Sequence, residues 1–336
     1  RPPRSTLFPY TTLFRSIDCM GSNSRIAWID AWKGLLILLV VLGHVAGGMY
    51  HYAGEPARTV VRLIYKSIYL FHIPAFFFFS GWVQANRKSK ERFIDFFCSR
   101  SRRLLIPYVF FGVGSALVFW GLLPILPILG NGSDAYYSSE YMYKFKWWQP
   151  IASLLYGSSW PDGLGFRFNS VLWFLPAMFS VQMIDRALIK FRRFDYLSLI
   201  LCAIIGGVMR ICVKTTLPWG LNIACVMLFY FVLGRILSQL SVSEYVPDWV
   251  ALLLGWGGLI VLAWTWPHIH YREEFWGWYF YSLFTGSFGS VLSLWTVKRL
   301  ANGLWRPAWA FVVSCGVLSI GIMLLHKFFV VFAQFI

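Results

Sequence analysis

Three histidines stand inside long apolar stretches of this chain: His44, His72 and His326. An imidazole has an unperturbed pKa near 6.5, so near neutral pH it can accept a proton, attack as a nucleophile or pass protons along a relay. Ionisable groups within apolar spans are costly to hold, which marks each of them as a functional candidate. The first has company. The stretch Trp28-Ile29-Asp30-Ala31-Trp32-Lys33-Gly34 leads directly into the run that carries His44. Lys33 and His44 are eleven residues apart, so on a helix they point within about 20° of one another and sit roughly 16 Å apart along the axis. Asp30 falls within about 40° of the same face. One stripe thus places a charged pair at one end of a helix and an imidazole near the middle of a membrane. The plain alternatives are a snorkelling lysine and a histidine that bonds neighbouring helices.

His72, in Leu70-Phe71-His72-Ile73-Pro74, reaches similar depth in the next apolar run, and His326, in Ile322-Met323-Leu324-Leu325-His326, does so in the last. Pro74 removes a backbone donor and is expected to kink its helix and open a cavity. Three imidazoles at one depth point to a polar pocket.

The elements that hold these residues follow from composition. Of 336 residues, 58% are hydrophobic, 20% aromatic and only 13% charged, about half the charge of an average soluble domain. This excludes a soluble globular domain, a disordered chain and a small disulfide scaffold. Apolar runs of about 20 residues argue for helices, since a barrel shows short alternating segments. Nine runs qualify: Leu35–Tyr52, Val60–Val83, Ile106–Gly130, Val171–Ile189, Tyr196–Val213, Leu217–Leu237, Val250–Trp266, Gly277–Trp295 and Val312–Ile336. The expected fold is an all-α integral membrane protein, a polytopic bundle of about 9–10 transmembrane helices.

The net charge of +16 fits basic loops beside anionic headgroups rather than a nucleic-acid partner. With the N-terminus in the cytoplasm, seventeen Lys and Arg fall inside and eight outside, which favours that orientation in an inner (plasma) membrane. The six cysteines form no CxxC pair, so neither a metal site nor a disulfide framework is expected. Arg1–Cys19 lacks the layout of a signal peptide and reads as a non-native leader, leaving residues 20–336 as a single domain. Within it, Arg87–Arg103 is a basic amphipathic segment suited to the inner membrane surface, with Phe93, Ile94, Phe96 and Phe97 on its apolar side. Asn131–Ser170 is a long outer loop rich in Tyr and Trp. Its aromatics (Tyr136, Tyr137, Tyr141, Trp147, Trp148 and Trp160) are placed to stack on sugar rings or to form an interfacial belt.

Five segments in order carry a resemblance: WIDxxKG…VxxGH, FHIPxFFFxSG (Phe71–Gly81), SRxRRLLIPY (Ser99, Arg100, Arg102–Tyr108), LWFLPAMF (Leu172–Phe179) and LSIGIMLLHK (Leu318–Lys327). From about Arg25 onward the chain resembles the acyltransferase-3 family of membrane acyltransferases, within it the branch of fucose 4-O-acetylases. The resemblance implies a bundle of about ten spans and transfer of an acyl group, typically acetyl, from acyl-CoA to a sugar hydroxyl of an envelope polysaccharide or its lipid-linked precursor. It implies no permanently bound cofactor: acetyl-CoA is a co-substrate. The partners implied are the acyl-CoA, the glycan acceptor, the lipid bilayer and a polysaccharide-synthesis machinery.

Residue by residue, Lys33 and His44 meet the family signature of a basic residue, ten others and a histidine. Catalytic roles then fall to His44, His72 and Asp30. The donor's phosphates fall to Lys33, Arg100, Arg102 and Arg103, and the acceptor to Trp173 and His326. A reading from a different class is a secondary transporter or glycan-export protein that uses the buried histidines as proton relays.

Overall fold

The computed structural model describes residues 24–50, 52–85, 91–122, 148–158, 169–188, 195–213, 215, 217–240, 245, 247–265, 276–301, 303 and 305–333. The expected leader and most of the expected outer loop, with Tyr136, Tyr137, Tyr141, Trp147 and Trp160, lie outside these residues. In chain order the helices are α1 (Ser24–Met49), α2 (Ala57–Tyr69), α3 (His72–Ala85), α4 (Phe93–Arg100), α5 (Ile106–Leu122) and α6 (Gln149–Tyr156). They continue with α7 (Phe174–Ala187), α8 (Asp195–Cys212), α9 (Leu221–Gln239), α10 (Trp249–Thr265), α11 (Trp276–Ala301), α12 (Arg306–Val317) and α13 (Ser319–Ala333). No strand occurs among the described residues. The fold is an all-α polytopic membrane bundle.

The outer surface supports lipid exposure independently of hydropathy. On α5 the exposed residues are Ile106, Val109, Phe110, Val113 and Leu117, and on α8 they are Leu197, Ile200, Leu201, Ile204 and Val208. These spacings form one continuous apolar stripe per helix, pointing away from the bundle, the reverse of a soluble amphipathic helix. Polar side chains turn inward instead: Ser115, Gln182, Asp185, Arg235, Ser290 and Ser293 are all buried. In hydrocarbon a polar group finds a partner only within the protein.

Among the described residues, five stretches are long and apolar enough to cross a membrane: Ala27–Met49, Ala57–Ala85, Phe93–Val118, Asp195–Cys212 and Pro218–Gln239. The others differ from the nine expected runs in instructive ways. The expected last span, from Val312, is broken: α12 and α13 meet at Leu318 with a bend of 74°. Ser314, Gly316 and Ser319 flank the break, small residues of the kind found at helix kinks. The expected Val171–Ile189 run becomes the 14-residue α7, buried along most of its length. Within the Ala57–Ala85 stretch the regular helix is interrupted at Leu70 and Phe71, before Pro74 rather than at it. Pro74 lies in the first turn of α3, where a missing backbone donor costs nothing.

Small residues set the closest helix crossings. A Cβ at Gly81 of α3 would overlap the Phe231 carbonyl of α9, and one at Gly234 of α9 would overlap the Phe78 carbonyl of α3. The two glycines admit each other's backbone, a crossing typical of packed helices in lipid. Around it lie fully buried Phe71, Phe77, Phe78, Tyr230 and Phe231, joined by Trp32 and Leu36 of α1. The Trp32 indole N–H donates to Ser293 Oγ of α11 at 2.9 Å, which fixes α1 against α11.

Candidate active site

The glycine device recurs where α1 meets α12. A Cβ at Gly34 would overlap the Val312 carbonyl, and one at Gly316 would overlap the Asp30 carbonyl. This close approach holds α12 across the Asp30 end of α1. The 74° turn at Leu318 then lets α13 run beside α1. The result is a ring contact: the imidazoles of His44 and His326 lie 4.9 Å apart at 39°.

The opposite flank of His44 is built by α2. Gly43 and Gly47 lie one turn apart on α1, and the rings of Tyr69 and Tyr65 pack over them. With no side chain in the way, Tyr69 brings its hydroxyl to 3.3 Å from His44 Nδ1. Tyr65 and Tyr69 rest together with centroids 4.1 Å apart. The ring of His72, at the start of α3, meets Tyr69 edge-on at 4.6 Å. Thus His44 and His72 both meet the Tyr69 ring, and His326 joins the cluster through His44.

Their hydrogen bonds assign tautomers in two cases. A carbonyl oxygen only accepts, so the ring nitrogen facing it must carry the hydrogen. His72 Nδ1–H donates to the Ile68 carbonyl at 2.9 Å, and His326 Nδ1–H donates to the Ile322 carbonyl at 3.1 Å. Both rings therefore keep their lone pair on Nε2. Their exposure is only 4% and 5%, whereas His44 is half-buried.

At the far end of α1, Lys33 and Asp30 form an ion pair at 2.5 Å, partly exposed. The basic segment divides. Ser101–Leu105 forms a π-helical turn between α4 and α5, a local widening that shifts the register of the side chains after it and is frequent at functional sites. Before the turn, Arg100 is buried: it donates to Gln84 Oε1 at 2.8 Å and lies 4.8 Å from the Phe96 ring. Arg102 and Arg103, within the turn, are exposed. Phe93, Ile94 and Phe97 face outward, but Phe96 turns into the protein. Trp173 is the cap residue before α7; it is half-buried, packs edge-on against Phe174 at 6.2 Å and borders both core groups.

Sequence spacing therefore anticipates the Lys33–His44 stripe and the three imidazoles, but not Tyr69. The signal was present: Tyr65, Tyr69 and His72 follow at intervals of four and three, which would place them on one face of a continuing helix. A second unanticipated residue is Asn169, assigned by sequence to the outer loop. It is buried and donates from Nδ2 to Ser115 Oγ of α5 at 3.1 Å and to the Leu324 carbonyl of α13 at 3.0 Å, tying the start of the α7 segment to α13.

Comparison with known proteins gives these residues a common frame. The acyltransferase-3 family, described as an acyltransferase domain, matches residues 26–336. Two curated relatives are both named nodulation protein NolL. The protein from Mesorhizobium japonicum is 34% identical over 90 residues, covering 27% of this chain and 24% of the relative. The protein from Sinorhizobium fredii is 33% identical over 90 residues, with the same coverage. The chain thus spans about a quarter of the length of the curated relatives it matches. No solved structure matches. With the family match running through α1, the π-turn and the broken last helix alike, the chain belongs to the acyltransferase-3 family.

Proposed function

We propose that this protein takes an acyl group, acetyl in the simplest case, from acyl-CoA and delivers it to a sugar hydroxyl of a cell-envelope polysaccharide or its lipid-linked precursor. The observation that carries the reading is the cluster of Tyr69 and His326 about His44, which stands on the helix that also bears Lys33. Coenzyme A is polyanionic, and Lys33, Arg102 and Arg103 supply positive charge for its phosphates. Its long arm spans the roughly 16 Å of helix from Lys33 to His44. Arg100 supports that surface from within, holding Gln84 and Phe96, and Asp30 orients Lys33.

In the transfer, the acceptor oxygen forms a bond to the acyl carbon and the carbon–sulfur bond breaks, its electron pair leaving on sulfur. The hydroxyl proton passes to an imidazole and from there to the thiolate. His44 is the residue on which this turns, as base or as carrier of the acyl group. His72 lies beside it through Tyr69, and Trp173 and His326 serve the acceptor side. The positive-inside bias supports a cytoplasmic N-terminus and donor site, and with them a protein of the inner (plasma) membrane. Within the family we place it with the fucose 4-O-acetylase-like branch, working beside polysaccharide-synthesis enzymes.

The test supplies radiolabelled acetyl-CoA to inside-out vesicles that contain the protein. Label on glycan is the expected result. A broken helix is also a feature of carriers, so solute uptake driven by protons, with no label transferred, would overturn the proposal in favour of a transporter.

A further inference from the structure

We propose that Asn169 is a positioning residue for acyl transfer: it sets the register of α13 and so places the His326 ring against His44. This role rests on the acyl-transfer reading above and extends it to a residue that none of the five sequence motifs contains. The break at Leu318 creates the need for it. Across a bend of 74°, α12 does not dictate where the faces of α13 point. Apolar packing holds α13 in part, since Met323 and Leu324 are buried in one group with Ile37 and Val40 of α1 and with Leu172 and Leu175. Such contacts have no preferred direction and constrain sliding or turning of a helix weakly. A slip of one residue would swing His326 by about 100° and move it about 1.5 Å along the axis, away from the ring that it meets at 4.9 Å.

Asn169 supplies a directional contact. Its Nδ2 donates to the Leu324 carbonyl at 3.0 Å and to Ser115 Oγ of α5 at 3.1 Å. A carbonyl only accepts, so the amide nitrogen, not its oxygen, faces α13. The Leu324 carbonyl precedes His326 by two residues, about 200° round the helix and about 3 Å along it, so fixing one fixes the other. Within α13, His326 Nδ1–H donates to the Ile322 carbonyl at 3.1 Å, so the ring turns with its backbone. Asn169 is itself anchored: it is 2% exposed, and its own carbonyl accepts from the Leu172 N–H at 3.2 Å, just before α7. The plain alternative is an amide that only binds helices together. For packing alone an amide is the poorer choice, because a buried polar group is less stable there than an apolar one of equal size, and Leu172 and Leu324 beside it belong to an apolar group. What the amide adds is direction.

The test replaces Asn169 by leucine, which keeps the bulk and loses the donor; Asn169→Ala is the second variant. The Leu324 carbonyl lies inside α13 and keeps its helical bond, so the melting midpoint of Asn169→Leu in detergent should stay within about 3 °C of the unaltered protein. The full-length protein in inside-out vesicles receives labelled acetyl-CoA, and label on glycan is counted per folded molecule, the folded amount being taken from size exclusion. In both variants kcat should fall about 10- to 100-fold, the scale of a misplaced reacting group. KM for acetyl-CoA should stay within about twofold, because Lys33, Arg102 and Arg103 lie on other elements. Ser115→Ala keeps the Leu324 bond and should hold kcat within about threefold. An unchanged kcat in folded Asn169→Leu would overturn the assignment. So would an equal loss in Ser115→Ala, or a loss of folded protein with kcat per molecule unchanged, the mark of a tie that serves the fold alone. If the unaltered protein transfers no label, the acyl-transfer reading itself falls, and the role of Asn169 in transfer with it.

Discussion

Removing Arg235 should destabilise the protein more than removing either of its partners. Its guanidinium bonds Asp185 of α7 through Nη1 and Asp195, the first residue of α8, through Nη2 at 2.8 Å, from its own place on α9. Arg235 and Asp185 are each 3% exposed, whereas Asp195 is 20% exposed. Arg235→Met therefore strands a buried carboxylate, and breaking such a pair costs about 3–5 kcal/mol. Asp185→Asn keeps a hydrogen-bonding group against Arg235 and leaves the Asp195 bond, so its cost is about 1–3 kcal/mol. Asp195→Asn loses a partly hydrated contact and costs about 1 kcal/mol or less. The double variant Arg235→Met, Asp185→Leu removes both buried charges together and should recover most of the loss, since buried ion pairs replaced by apolar groups are often neutral. The assay is the fraction of protein that stays monodisperse in detergent after heating, followed on size exclusion for all four variants. A double variant no more stable than Arg235→Met alone would refute the reasoning, as would an Arg235→Met protein as stable as the unaltered one.

Tyr69→Phe removes a hydroxyl from His44 without changing ring packing, so folding should hold. At about 0.5–1.5 kcal/mol for one hydrogen bond, kcat for acyl transfer should fall about 2- to 12-fold; an unchanged kcat would mean that the bond does no work in the reaction. Gly316→Ala drives a methyl group toward the Asp30 carbonyl and should cost about 1–3 kcal/mol by overpacking, seen as a lower melting midpoint in detergent. Arg102→Ala together with Arg103→Ala should raise the KM for the acyl donor while protein yield is unchanged, because both side chains are exposed; steady-state kinetics with acetyl-CoA varied checks this.

The helical bundle was legible in the sequence because it rests on one-dimensional quantities: run length, mean polarity and spacing along a single helix. Lys33 and His44 belong to one helix, so their shared face follows from the residue count alone. The meeting of His44 with His326 does not, since it depends on a turn at Leu318 where no proline marks the break. Arg235 looked like one more basic residue at a membrane boundary. Its partners lie 50 and 40 residues away in sequence, and only the packing of three helices shows that it is a buried tie. Arg100 and Arg102 looked equivalent for the same reason: Arg100 precedes a π-turn and is buried, whereas Arg102 lies within the turn and is exposed. Asn169 seemed part of a loop because a single polar residue carries no periodicity, whereas its two bonds reach α5 and α13.

The central claim, that the His44 imidazole, held between Tyr69 and His326, performs the transfer, is tested most directly by His44→Ala. Membranes that contain equal amounts of the variant and the unaltered protein are supplied with labelled acetyl-CoA, and label on glycan is measured. The account predicts that label falls to the level of membranes lacking the protein; undiminished labelling by the folded variant would contradict it.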